Sequence, residues 1–195
     1  MKRPSAILAA ALATALAPLA LSAAVAPGQP APAFTLPLAG AATTISLDRE
    51  RAAHPATVVM FVSTRCPVSN AYDGRMEELE RTYAARGVRF IGVNSNVNEP
   101  ASEVAAHARE HGFTFPVVKD DGSRTADAYG AQHTPEIFVV DPSGVVRYHG
   151  RIDENRDDPA AVRSPDLRNA LDAILAGKPV AVPETKAFGC SIKRG

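Results

Sequence analysis

The apolar residues of this chain gather into short unbroken runs that alternate with periodic ones. Residues 56–62, ATVVMFV, are continuously apolar and β-rich, the pattern of a strand buried on both faces of a sheet. Beyond them Tyr72, Met76, Leu79 and Tyr83 recur at spacings of four, three and four, while Glu77 and Arg81 pair on another face. This predicts a helix that Gly87 stops. Residues 88–93 predict a second strand, residues 101–111 a short helix and residues 115–118 a short strand, followed by a turn at Asp120, Asp121 and Gly122. Residues 136–140 and 145–149 flank Asp141-Pro142-Ser143-Gly144, where Asp, Pro and Gly stand at the places a type I turn favours, so a β-hairpin is predicted. The last helix has Ser164 as its N-cap, Pro165 at its first position, an apolar stripe of Leu167, Ala170, Leu171, Ile174 and Leu175, and Gly177 and Pro179 beyond its end. After it, residues 178–195 are expected to form an extended, irregular tail. The pattern is that of an α/β domain with a central mixed β-sheet flanked by helices, and by itself it equally suits a doubly wound nucleotide-binding fold.

The start of the chain belongs to no such pattern. Lys2 and Arg3 give a basic opening, residues 6–20 are apolar and uncharged, and Ala24-Val25-Ala26 resembles a small-residue cleavage site, so residues 1–26 are expected to be a signal peptide. Pro18 and the high alanine content argue against a membrane anchor, and no cysteine lies there to carry a lipid. What remains has the size of one domain, residues 27–177, with the tail 178–195. The whole chain has a formal net charge of +0, and the leader's two basic residues leave the rest slightly acidic. Neither a nucleic-acid partner nor a membrane surface follows from that balance, and composition sets no oligomeric state.

There are two cysteines, Cys66 and Cys190, in a chain expected to be secreted or periplasmic. Two are too few for a disulfide scaffold in a domain this large, which leaves a structural bridge or a redox pair. Cys66 falls just past the first buried strand and just before a helix opened by Pro67. Backbone N–H groups and the helix dipole favour a thiolate there, and Arg65 is expected to add to the effect. A thiolate attacks peroxides and disulfides; a thiol does not.

Residues 61–69, FVSTRCPVS, followed far downstream by Thr134-Pro135 and the run EIFVVD, resemble the thioredoxin superfamily. Residues 66–72, 147–153 and 185–193 make the whole chain after the leader most similar to the peroxiredoxin-like redoxins of the alkyl hydroperoxide reductase and thiol-specific antioxidant group. The resemblance implies a thioredoxin-like fold with Pro135 cis and facing the redox cysteine. It implies Cys66 as nucleophile toward hydroperoxides or protein disulfides, Thr134 and Pro135 shaping the substrate face, Ser63 bonding the thiolate, a thiol reductant protein as partner and no dissociable cofactor. Ser69 stands where a dithiol C-x-x-C has its second cysteine, and Val59 where a peroxiredoxin has proline. Cys190 is therefore the candidate resolving residue, with a permanent Cys66–Cys190 bridge and an unpaired tail thiol as alternatives. Arg147 and Arg124 are the candidates for an active-site arginine.

A different class of function stays open. Cys66 and His133 could hold copper as in thioredoxin-fold copper chaperones, although Asn70 occupies the second cysteine's place in their C-x-x-x-C. His107 and His111 have the i, i+4 spacing of a metal grip but no evident third ligand, so a solvent-facing pair is expected. The acidic stretch 153–158 lacks the glycine and ligand alternation of a calcium loop and is expected to be solvated and self-paired. Asn94, Asn96 and Asn98, at a strand end, are expected near the active face.

Overall fold

The computed structural model describes residues 24–195. In chain order the elements are β1 (Thr35–Pro37), β2 (Thr44–Ser46), α1 (Leu47–Ala53), β3 (Thr57–Phe61), α2 (Pro67–Ala71), α3 (Asp73–Ala84), β4 (Arg89–Asn94), α4 (Ala101–Glu110), β5 (Val117–Lys119), α5 (Arg124–Tyr129), β6 (His133–Thr134), β7 (Glu136–Val140), β8 (Val146–Gly150), α6 (Asp166–Leu175) and β9 (Cys190–Ser191). The main sheet runs β5-β4-β3-β7-β8. Strands β3, β4 and β5 are parallel, while β7 and β8 are antiparallel to their neighbours. This is the thioredoxin-like arrangement, not a doubly wound one.

β3 is buried at every position because it lies in the middle of this sheet with cover on both sides. Val58 and Met60 face a cluster with Met76, Leu79 and Tyr83 of α3 and Leu167 and Leu171 of α6; Val59 and Phe61 face a second cluster with Leu47, Tyr129 and Phe138. Burying apolar area on both faces contributes about 25 cal/mol per Å² and fixes the register of the strand that delivers Cys66.

Several boundaries differ from the pattern. The helix containing Tyr72 is two helices, because Tyr72 (φ −96°, ψ −6°) separates α2 from α3. Pro165 precedes α6, and Ser164 donates to Asp166 at 2.6 Å in place of capping a backbone N–H. Strand β5 begins at Val117, and β8 at Val146 after a register shift at Val139/Val140. Short α1, α5 and the β1–β2 hairpin carry too little periodicity to announce themselves. The tail is largely irregular, as expected, but it is docked: His149 N–H bonds to the Pro183 carbonyl, Thr185 N–H to that of His149, and residues 190–191 form β9 against β6. Of the expected signal peptide, residues 1–23 lie outside the described residues. Val25 N–H bonds to the Tyr129 carbonyl at 2.9 Å.

Candidate active site

Cys66 ends the loop leaving β3 and caps α2. Its backbone is extended (φ −85°, ψ 114°), and Pro67 follows at a position where its fixed φ suits a helix and its missing N–H costs nothing. The sulfur thus lies over the free N–H groups of a first turn, and Ser69 N–H donates to it at 3.3 Å. The thiol is 3% exposed and donates to the Thr134 carbonyl oxygen at 3.3 Å.

One carboxylate holds the loop before Cys66. Glu99, 2% exposed, accepts from the Ser63 hydroxyl at 2.6 Å, from Thr64 N–H at 2.9 Å, from Arg65 N–H at 3.2 Å and from Asn94 Nδ2. Ser63 Oγ in turn accepts from Cys66 N–H at 3.1 Å. Ser63 therefore positions the cysteine's backbone and does not bond its sulfur, correcting the expected thiolate contact: its proton is spent on Glu99 and its lone pairs on the amides of residues 65 and 66. Ser69, in the place of a second cysteine, turns its oxygen away to accept from Ser63 N–H.

Facing Cys66 is a loop built on a second carboxylate. The Thr134-Pro135 bond is cis. Glu136, which follows it, accepts from the N–H groups of Gln132 and His133, both at 2.8 Å, and pairs with His149 Nε2 at 2.8 Å. Across the outer edge of this loop lies the tail: Thr134 pairs with Cys190 and His133 with Ser191, antiparallel, and Ile192 N–H bonds to the Gln132 carbonyl. Lys193 is clipped by Asn96 Oδ1 and by Val97 N–H, and Arg194 by Asp127 and the Ala131 carbonyl. Both cysteines are free thiols.

A buried thiol stands at a strand-to-helix junction opposite a cis-proline loop, and residues 27–149 match the AhpC/TSA family. The chain belongs to that family. A thiol-disulfide oxidoreductase ResA of Halalkalibacterium halodurans is 34% identical over 90 residues, covering 46% of this chain and 50% of ResA, so the chain spans about half the length of the curated relatives it matches. The crystal structure of a hypothetical protein from Sinorhizobium meliloti 1021 superposes with a TM-score of 0.81 at 32% identity, covering 89% of this chain and 97% of the other. That of a putative thiol:disulfide interchange protein DsbE from Chlorobium tepidum, at 20% identity and a TM-score of 0.64 over 78% of this chain and 99% of the other, shares the fold.

In this AhpC/TSA chain the two thiols are pushed in opposite directions. Burial raises Cys66, but hydrogen bonds from the Cys190 side chain, from Thr134 and from the N–H groups of Ser69 and Cys190 outweigh it and leave it below the ordinary cysteine value. Burial raises Cys190, and so does its thiol's bond to the Cys66 sulfur. The Thr134 hydroxyl is buried and meets no group in hydrogen-bond geometry, and turned toward the ionised sulfur it is the side-chain donor that favours it. Thr134→Val, which keeps the shape and removes that donor, should move the pH midpoint of Cys66 alkylation up by about half a unit or more; an unchanged midpoint would exclude the hydroxyl.

Other expectations fall elsewhere. Arg65 pairs with Glu103 at 2.5 Å, and Arg147 pairs with Asp141 at the hairpin, at 2.6 Å. Arg124 opens α5. His133 lies on β6, but Cys66, Cys190 and His133 do not converge into a metal-sized group; among the described residues the only such group is Asp73, His107 and His111. The last two are not a free solvent-facing pair: their side chains are 14% and 39% exposed and Asp73 stands between them. The acidic stretch 153–158 is only partly solvated, since Asp153 is buried against Arg75 and the Tyr72 hydroxyl. Asn94 and Asn96 do border the site, through Glu99 and Lys193. Glu99 and Glu136 carry no sequence signal beyond their places, one residue past an Asn-rich strand end and one residue past a proline.

Proposed function

We propose that this chain is an exported thiol oxidoreductase in which Cys66 is the nucleophile and Cys190 resolves it. One observation carries the proposal: β9 sets Cys190 against Thr134, beside a Cys66 that ionises more readily than its partner. An extended polypeptide pairing with the β6 edge would present its own disulfide in the same place, and the tail occupies that edge as such a chain would. The kinship with proteins named ResA supports thiol–disulfide exchange, and the leader of residues 1–26 supports work in the periplasm or outside the cell.

The Cys66 thiolate attacks one sulfur of a protein disulfide, forming a mixed disulfide while the other sulfur leaves with the electron pair and takes up a proton. Cys190 gives up its proton and attacks the Cys66 sulfur, closing the Cys66–Cys190 bond and expelling the second substrate thiol. The substrate gains two electrons and the cysteine pair loses two; a dithiol reductant protein returns them. AhpC/TSA membership favours hydroperoxide as a second oxidant. There the thiolate takes the outer peroxide oxygen, the O–O bond breaks to release an alcohol or water, and the sulfenic acid condenses with Cys190 to release water.

The test is intact-mass measurement of reduced wild type and Cys190→Ser after treatment with a disulfide-linked peptide or with hydrogen peroxide. Wild type should lose two hydrogens with either oxidant. Cys190→Ser should hold the peptide as a stable mixed disulfide and, with peroxide, gain one oxygen. A Cys66 inert to both oxidants would end the proposal, and wild type halted at the mixed disulfide would remove Cys190 from it.

A further inference from the structure

Outside the thiol site, a second cluster of chemically active side chains joins α3 to α4. Asp73 is the first residue of α3, and His107 and His111, one turn apart near the end of α4, bring two imidazoles to the same side of it. Asp73 Oδ2 lies 3.1 Å from His107 Nε2 and 2.9 Å from His111 Nδ1. Asp73 is only 4% exposed, yet Oδ2 meets neither nitrogen in hydrogen-bond geometry and has no other donor. The imidazoles stack with centroids 4.1 Å apart, an arrangement two protonated rings would oppose. Three lone-pair donors therefore converge on one point, and neither ring N–H is suitably placed to join them.

We propose that Asp73, His107 and His111 form a divalent-metal site that takes Zn²⁺ through one carboxylate oxygen and two imidazole nitrogens. The donor atoms all lie within 4.8 Å of one another, and ligands held at ~2.0 Å around a tetrahedral ion stand roughly 3.3 Å apart, so small side-chain movements complete the set. Imidazole with carboxylate suits zinc among the common divalent ions, whereas magnesium and calcium prefer all-oxygen sites. His111 is the most exposed of the three and marks the side from which the ion and a fourth, water ligand enter. The bound ion would tie α4, which carries Glu103 against Thr64 and Arg65, to the start of α3.

Thiols also bind zinc, so the test uses the full chain with Cys66→Ser and Cys190→Ser. Titration with Zn²⁺, and with Co²⁺ as a spectroscopic substitute, should show one ion per chain, visible d–d bands and a raised melting temperature. His111→Ala and His107→Ala should each lower the affinity by about 100-fold, the upper end of what loss of a supporting partner costs. Asp73→Asn serves as an independent third variant. Absence of stoichiometric binding in the cysteine-free chain, or binding that survives both histidine substitutions in folded protein, would overturn the site. Either result leaves the thiol reading untouched.

Discussion

Glu99→Gln, which keeps the volume of the side chain, should lower folding stability by about 2 kcal/mol and slow Cys66 oxidation roughly tenfold. Four donors converge on the two Glu99 oxygens, and an amide can accept on one side only. The other side then sets an NH₂ against two donors, one of them buried, and the buried one costs about 1–3 kcal/mol if left unmet. Lys119, whose Nζ is buried on Asn94 Oδ1 and the Asn96 carbonyl, also loses a nearby negative charge. The rate effect follows because Ser63, Thr64 and Arg65 set the height of Cys66 over α2. Burial pushes the Glu99 carboxyl up, but bonds from Ser63, Thr64, Asn94 and Arg65 outweigh it and hold it below the ordinary value. The difference between wild type and variant should therefore be fully present above about pH 4.5 and shrink as pH falls through the lower folded value. Denaturant unfolding across pH checks it. Equal stability of the two proteins at neutral pH would show that the carboxylate does not hold the loop.

Elements that bury a continuous or periodic face were legible in the sequence; those held by single polar contacts were not. β3 and α3 announce themselves because Val58 to Phe61 and the Met76, Leu79, Tyr83 stripe each meet core, and Cys66 could be placed at their junction. Thr134-Pro135 was legible through its resemblance, the cis bond included. Glu99 was not, since nothing local distinguishes a carboxylate that accepts four bonds from one facing water. The docking of the tail was not legible for the same reason. Its docking rests on backbone pairing with β6 and on contacts with residues some 60 to 100 positions earlier, and neither leaves periodicity behind. Asp73 escaped notice beside the histidines because α3 and α4 meet only in three dimensions.

Gly189→Ala should separate the two roles of the tail. Gly189 has φ +154°, and a Cβ added there would collide with the Thr134 carbonyl, the same group that receives the Cys66 thiol. The strand pair Thr134–Cys190 must open, although the anchors at Lys193 and Arg194 lie farther along and remain. Two effects on Cys66 then oppose each other. Its sulfur loses the Cys190 hydrogen bonds that lower its pKa, so the pH midpoint of alkylation moves up; it also loses the cover that keeps it buried, so the alkylation rate on the alkaline plateau rises. Closure of the Cys66–Cys190 disulfide after peroxide should slow by about tenfold or more, because Cys190 is no longer held on Thr134 beside Cys66. The sulfenic acid should accumulate and become trappable by dimedone. Disulfide closure as fast as in wild type would mean that the docked strand is not what brings Cys190 to its target, and a plateau rate that does not rise would mean that the tail is not what shields Cys66.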